Sequence, residues 1–156
     1  MADDKKIVRI DLRASENLTP ELLNILNAYP DLLPSEKIVF GDGSQTSGIA
    51  LYPISGAVVV TEEEDIIGNI AQECQYPFFL IYKVGKGSSS SRIAIKEFLD
   101  DLGRWLEVQN YKAYFSSVDV TDISRQTPGY LESREEDGVE NWAIYITLFY
   151  RRTIES

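Results

Sequence analysis

Two long apolar runs with a period of two constrain this chain more than any other feature. Between Gln72 and Val84, the residues Tyr76, Phe78, Leu80, Tyr82 and Val84 fall at every second position, with Phe79 and Ile81 between them. Successive side chains of a strand point to opposite faces, so this spacing predicts a central β-strand. The stretch from Trp142 to Tyr150 repeats the pattern as a closing strand ahead of Arg151 and Arg152. Trp142, Ile144, Ile146, Leu148 and Tyr150 fill one face, and Ala143, Tyr145 and Phe149 keep the other largely apolar. A strand apolar on both sides needs cover on both. If helices cover one side, the second is covered either by loops and the N-terminal segment or by another subunit, and the residues leave these two readings open.

A period near 3.6 takes over between the two runs. After the loop Gly85–Ser91, which offers several serine N-caps, Ile95, Phe98, Leu99, Leu102, Trp105 and Leu106 recur at spacings of three and four. Lys96, Asp100, Asp101, Arg104 and Glu107 occupy the opposite side, so an amphipathic helix is predicted over Ser91–Gln109. An earlier helix is expected to start at Thr19-Pro20-Glu21, with a capping hydroxyl and a proline in the first turn, and to end near Tyr29 before Pro30. Ile7, Val8, Ile10 and Leu12 fit either a brief strand or the approach to that helix. Lys37–Phe40, a glycine-rich turn at Gly41–Ser44 and Ile49–Ile54 read as a hairpin. Ala57–Thr61 reads as a strand ended by an acidic turn at Glu62–Asp65, and Ala113–Ile123 as another strand. Thr127–Tyr130 is expected to be a turn and Glu132–Gly138 a charged loop. The sum is an α+β fold, a mostly antiparallel β-sheet covered on one face by two helices, in a single domain over 1–156.

Composition narrows the chemistry. The 156 residues include 25 acidic and 15 basic side chains for a net charge of −10, the wrong sign for broad binding to phosphate backbones. Histidine is absent, so Ser-His-Asp, Cys-His and His-ligated metal sites cannot be assembled from this chain alone. Cys74 has no partner for an internal disulfide, and the polar start Met1–Lys6 lacks the apolar core of a secretory signal, which predicts an intracellular protein. No apolar run approaches a membrane span, since Pro77 and Lys83 interrupt the longest.

The motifs that could carry chemistry have ordinary explanations. Lys83-Val84-Gly85-Lys86-Gly87-Ser88 has the strand, glycine loop and helix order of a phosphate cradle, but Lys86 precedes the second glycine and the spacing of a P-loop is missing. Glu62–Asp65 and Arg134–Asp137 lack the alternating ligands and glycine of a calcium loop and read as solvated turns. Cys74 reads as a small core residue, with no histidine to activate it. No enzyme, cofactor or metal signature emerges.

From Ile49 onward the chain resembles a family of tailed-bacteriophage proteins known as tail terminator or minor capsid proteins. The resemblance runs through Ile49-Ala50-Leu51-Tyr52, the turn ending Asp65-Ile66-Ile67-Gly68-Asn69, and the aromatic strand Tyr76–Tyr82. It continues in the serine-rich loop with Arg92, the helix from Phe98 to Asn110 with its Trp105-Leu106-Glu107 pattern, Thr127–Leu131, and the closing strand Trp142–Tyr150. It covers about two thirds of the chain.

The resemblance implies a structural protein of the virion tail and neck, assembled in the bacterial host cytoplasm. Such a protein caps the head-proximal end of the tail tube as a hexameric ring. Its partners would be further copies of itself, the major tail tube protein and a head-completion or connector protein, with genomic DNA passing through unbound and no membrane involved. The loop residues Lys86, Ser88, Ser89, Ser90 and Arg92 are the expected subunit or tube contacts, with Tyr145 and Phe149 on the second apolar face. Replacing Lys86 and Arg92 is expected to behave as a surface change. The alternative is a small-molecule or phosphate-binding module using Gly85–Ser91.

Overall fold

The computed structural model describes residues 5–10, 12–33, 37–42, 47–85 and 89–155. In chain order the elements are β1 (Lys5–Ile10), α1 (Leu12–Leu26), β2 (Val39–Phe40), β3 (Gly48–Pro53), β4 (Val58–Glu64), β5 (Ile70–Val84), α2 (Ser89–Leu106), a 3-10 turn (Tyr111–Ala113), β6 (Asp119–Arg125), β7 (Tyr130–Arg134) and β8 (Glu140–Ile154). The architecture is α+β.

The two runs of period two become the spine of one sheet. β5 and β8 pair antiparallel along their full length, with Ile70 opposite Ile154 and Val84 opposite Glu140. Shorter strands share the outer edge of each. β4 lies along residues 70–75 of β5 and β3 along 78–83, while β6 lies along 146–151 of β8 and β7 along 140–143. β1 extends the sheet beyond β4, and β2 runs beside β3. Pro77 falls between the stretches paired to β4 and β3, so its missing N–H breaks no ladder bond on that edge. The matching gap on β8 is filled by Thr127, whose Oγ1 accepts the Tyr145 N–H at 3.1 Å.

Both helices cover the face that carries the even-numbered residues of the spine. Leu18, Leu22, Ile25 and Leu26 of α1 share one core with Leu99, Leu102 and Leu106 of α2 and with Tyr76, Phe78, Leu80, Ile144, Ile146 and Leu148 of the sheet. Each such aliphatic or phenylalanine side chain contributes about 1.5–3 kcal/mol through burial. Tyr29 joins the helices, its ring 5.8 Å from Phe98 and 5.4 Å from Trp105. The Thr19 and Tyr76 hydroxyls lie 2.6 Å apart between α1 and the sheet, and burial outweighs that bond to push the Tyr76 phenol up.

Several boundaries differ from the sequence expectation. α1 begins at Leu12 and carries Pro20 inside it. Ala14, Leu18, Leu22, Ile25 and Leu26 form one buried stripe through the proline, and that burial offsets the roughly 3 kcal/mol an interior proline costs. Residues 5–10 form a strand. β2 and β3 are parallel and not a hairpin. The Asn27 side chain bonds both the N–H and the carbonyl of Ile38, fixing the approach to β2 from α1, and Gly41 N–H continues the ladder to Leu51 O at 2.8 Å.

Glu62–Glu64 belong to β4, and the turn begins at Asp65. α2 starts at Ser89 and ends at Leu106, so Ser89–Ser91 are helical and not loop. The segment Ala113–Val118 is not strand, because Tyr111 folds back to donate its hydroxyl to Leu106 O at 3.0 Å and accept the Ile123 N–H. Glu132–Arg134 belong to β7 and not to a loop, in an edge strand whose exposed side chains give no apolar alternation.

Candidate contact surface

The odd-numbered residues of β5 and β8 face away from both helices. Phe79 and Tyr145 are opposite each other in the ladder, with ring centroids 5.2 Å apart in an edge-to-face arrangement at 69°. Farther along β8, Phe149 lies opposite Gln75 and lines a trough of about 340 Å³ with Val60, Glu73, Asp122 and Arg151. The trough has a local cause. β4 bulges between Val59 and Thr61, and β6 between Val120 and Asp122, one on each side of the spine. Val60 and Thr121, the residues at the two bulges, both line the trough, and bulges sharpen the twist of their strands. Phe79, Tyr145 and Phe149 are half-buried, between the sealed helix-side core and open solvent.

This surface combines flat aromatic area with carboxylates at Glu73 and Asp122 and a guanidinium at Arg151. Those groups suit recognition of another side chain or backbone segment. Among the described residues, no group of three or more His, Cys, Asp or Glu is placed to hold a metal ion, and no helix is long and apolar enough to cross a membrane.

A second polar assembly sits at the opposite end of β8, where Glu140 is buried under three side chains. Arg92 approaches with Nε 3.1 Å from Oε1 and Nη2 2.9 Å from Oε2, and Arg134 donates from Nη2 to Oε2 at 2.8 Å. The Trp142 indole N–H donates to Oε1 at 3.3 Å. The hydrogen bonds from Arg92 and Arg134 pull the Glu140 carboxyl down to about 2, outweighing the burial that pushes the other way. The two arginines reach solvent themselves, so the carboxylate is sealed by its own partners. The cluster clamps α2, β7 and β8 together.

The expected contact residues therefore divide. Arg92 belongs to the Glu140 clamp and is not a loose surface cation, so exchanging it for Glu would set two carboxylates together and is no neutral surface change. Ser89 and Ser90 open α2. Lys86 and Ser88 lie outside the described residues. Tyr145 and Phe149 share the second face, but Phe149 is nine positions along β8 from Glu140, roughly 30 Å at strand rise. The Arg92–Glu140 clamp and Phe149 therefore lie toward opposite ends of β8.

Reading the sequence missed the clamp. One signal was present, because Glu140 shares the parity of Trp142, Ile144 and Ile146, and a carboxylate on the buried face of a strand requires partners. Gln72 has the same relation to Cys74 and Tyr76. It is buried, donates to Glu62 at 2.6 Å and accepts from Arg152 at 2.9 Å. No family model matches the sequence.

Proposed function

We propose that this chain is a structural, non-catalytic protein of a tailed bacteriophage or prophage. It caps the head-proximal end of the tail tube as a hexameric ring and joins the tube to the head connector. The observation that carries the reading is the second face of the β5–β8 spine, where Phe79, Tyr145 and Phe149 remain half-buried on a sheet whose two helices both lie on the other side. Aromatic side chains in this state are characteristic of protein interfaces. A ring needs two different patches on each subunit, and closes when their relative rotation completes a circle. The aromatic face supplies one such patch.

The charge supports the same reading. A net charge of −10 per subunit disfavours adhesion of DNA passing through a lumen. The protein would reside in the virion neck after assembly in the host cytoplasm, in contact with its own copies, the tube protein and the connector, with no cofactor.

Deleting the gene from the phage that encodes it tests the proposal. Overlong tails, or heads and tails that remain separate in electron micrographs, are expected. Normal tails joined to heads would overturn it.

A further inference from the structure

The trough on the second face carries charges that the molecule itself leaves unpaired. Across the ladder, Arg151 lies between Glu73 of β5 and Asp119 of β6, and Phe149 lies between Gln75 and Asp122. Residues directly opposite each other in a ladder share a face, so three carboxylates and one guanidinium surround the half-buried Phe149 ring. Among the described residues, none of these four charged side chains has an ion pair, although Arg92, Arg104, Arg125 and Arg134 elsewhere each hold a carboxylate. An acidic rim around an aromatic ring is a favourable seat for an ammonium group.

We infer that this trough seats Lys37 of a second copy of the chain, with Val39 and Phe40 of that copy packing beside it. The inference rests on the ring reading, which requires two different patches on each subunit. Lys37 is exposed, as are Val39 at 38% and Phe40 at 49%. Among the described residues β2 is the last strand at its end of the sheet, so this basic and apolar strip lies on an open edge. It is away from the trough, because β3 joins β2 to residues 78–83 of β5 whereas the trough flanks residues 73–75. Asn27 bonds both backbone groups of Ile38, and a strip held in this way loses little freedom on docking.

The other described cations fit less well. Lys83, Arg92, Lys96, Arg104, Arg125 and Arg134 hold carboxylates of their own molecule, and Arg152 holds Gln72. Lys112 is exposed, but its 3-10 turn packs against β6, the strand that supplies Asp119 and Asp122. A lysine beside the trough's own rim does not form a separate patch.

Charge reversal on each side tests the contact in the full chain. Glu73→Lys/Asp122→Lys makes the trough basic and Lys37→Glu makes the strip acidic. The changed side chains are exposed, so every variant should keep the wild-type circular dichroism and thermal midpoint. In sedimentation velocity at low salt, each one-sided variant should self-associate on the order of tenfold more weakly than wild type, and the chain carrying all three changes should recover. Complementation of the gene deletion should follow the same order, with Lys112→Glu behaving as wild type.

Wild-type self-association and capping by both one-sided variants would overturn the contact and leave the capping role standing. Loss in both without recovery in the combined chain would refute Lys37 as the occupant and give the trough to another partner. A deletion without phenotype would overturn the capping role; sedimentation then decides the contact, and a wild-type chain that stays monomeric would refute it.

Discussion

Replacing Gly103 with alanine should destabilise the protein, although the same change in an isolated helix stabilises it. In a free helix the gain is about 1 kcal/mol, because alanine loses less backbone freedom than glycine. In α2 the glycine is buried where the helix crosses β6 and β8. An added Cβ would lie 2.6 Å from Arg125 Cδ, 2.8 Å from its Cγ and 3.1 Å from Ile144 Cδ1. The Arg125 stem cannot simply swing away, since its Nε bonds Glu107 Oε1 at 2.6 Å and its Nη1 reaches Asp100 O. Overpacking of this kind costs about 1–3 kcal/mol, and disturbing a partly exposed ion pair adds about 0.2–1 kcal/mol. The cost exceeds the propensity gain, leaving a net loss of about 1 kcal/mol. Thermal unfolding followed by circular dichroism should show a midpoint lower by about 2–4 °C. In an Arg125→Ala background the closest contact is gone, and Gly103→Ala should become neutral or stabilising. A higher midpoint for Gly103→Ala alone would mean that α2 is not seated on β6 and β8 as described.

The Glu140 clamp predicts a particular acid response. The folded carboxyl titrates at about 2 against an ordinary 4.5, so its stabilisation is complete above pH 4.5 and is lost as pH falls toward 2. The wild-type advantage over Glu140→Gln should be large at pH 6 and shrink on acidification; parallel curves would contradict the clamp. Tyr111→Phe removes the hydroxyl that bonds Leu106 O and Ile123 N–H, and should cost about 1 kcal/mol with faster hydrogen exchange at the Ile123 amide. Unchanged exchange there would show that the edge of β6 is protected in another way. Leu102→Ala, in the shared core of the helices and the sheet, should cost about 2–5 kcal/mol in urea unfolding. A loss under 1 kcal/mol would place α2 outside that core.

What could be read from the sequence depended on whether packing or polar partnership decided the local structure. β5, β8 and α2 were legible because a single periodicity governs each, and most of their in-phase residues are buried or half-buried. α1 was read from its proline, a local signal, whereas the stripe running back through Leu18 to Ala14 determines where the helix begins. The parallel pairing of β2 depends on Asn27 reaching Ile38 across eleven positions, which no short-range turn preference reveals. β7 hid in a charged segment because an edge strand with exposed side chains leaves no apolar pattern. At the candidate surface, Tyr145 and Phe149 were assigned to the correct face by parity, but the trough around Phe149 depends on two β-bulges that the sequence does not mark. The pairing of Arg92 with Glu140 joins residues 48 positions apart, so the arginine read as a free contact side chain.

Electron microscopy of assembled particles carrying a small label on this chain tests the central proposal most directly. The account predicts one labelled ring per particle at the junction of tail and head, and its loss together with joined particles in a Tyr145→Ser/Phe149→Ser variant that remains folded. Label spread along the tail tube, or absent from the particle, would contradict a capping role.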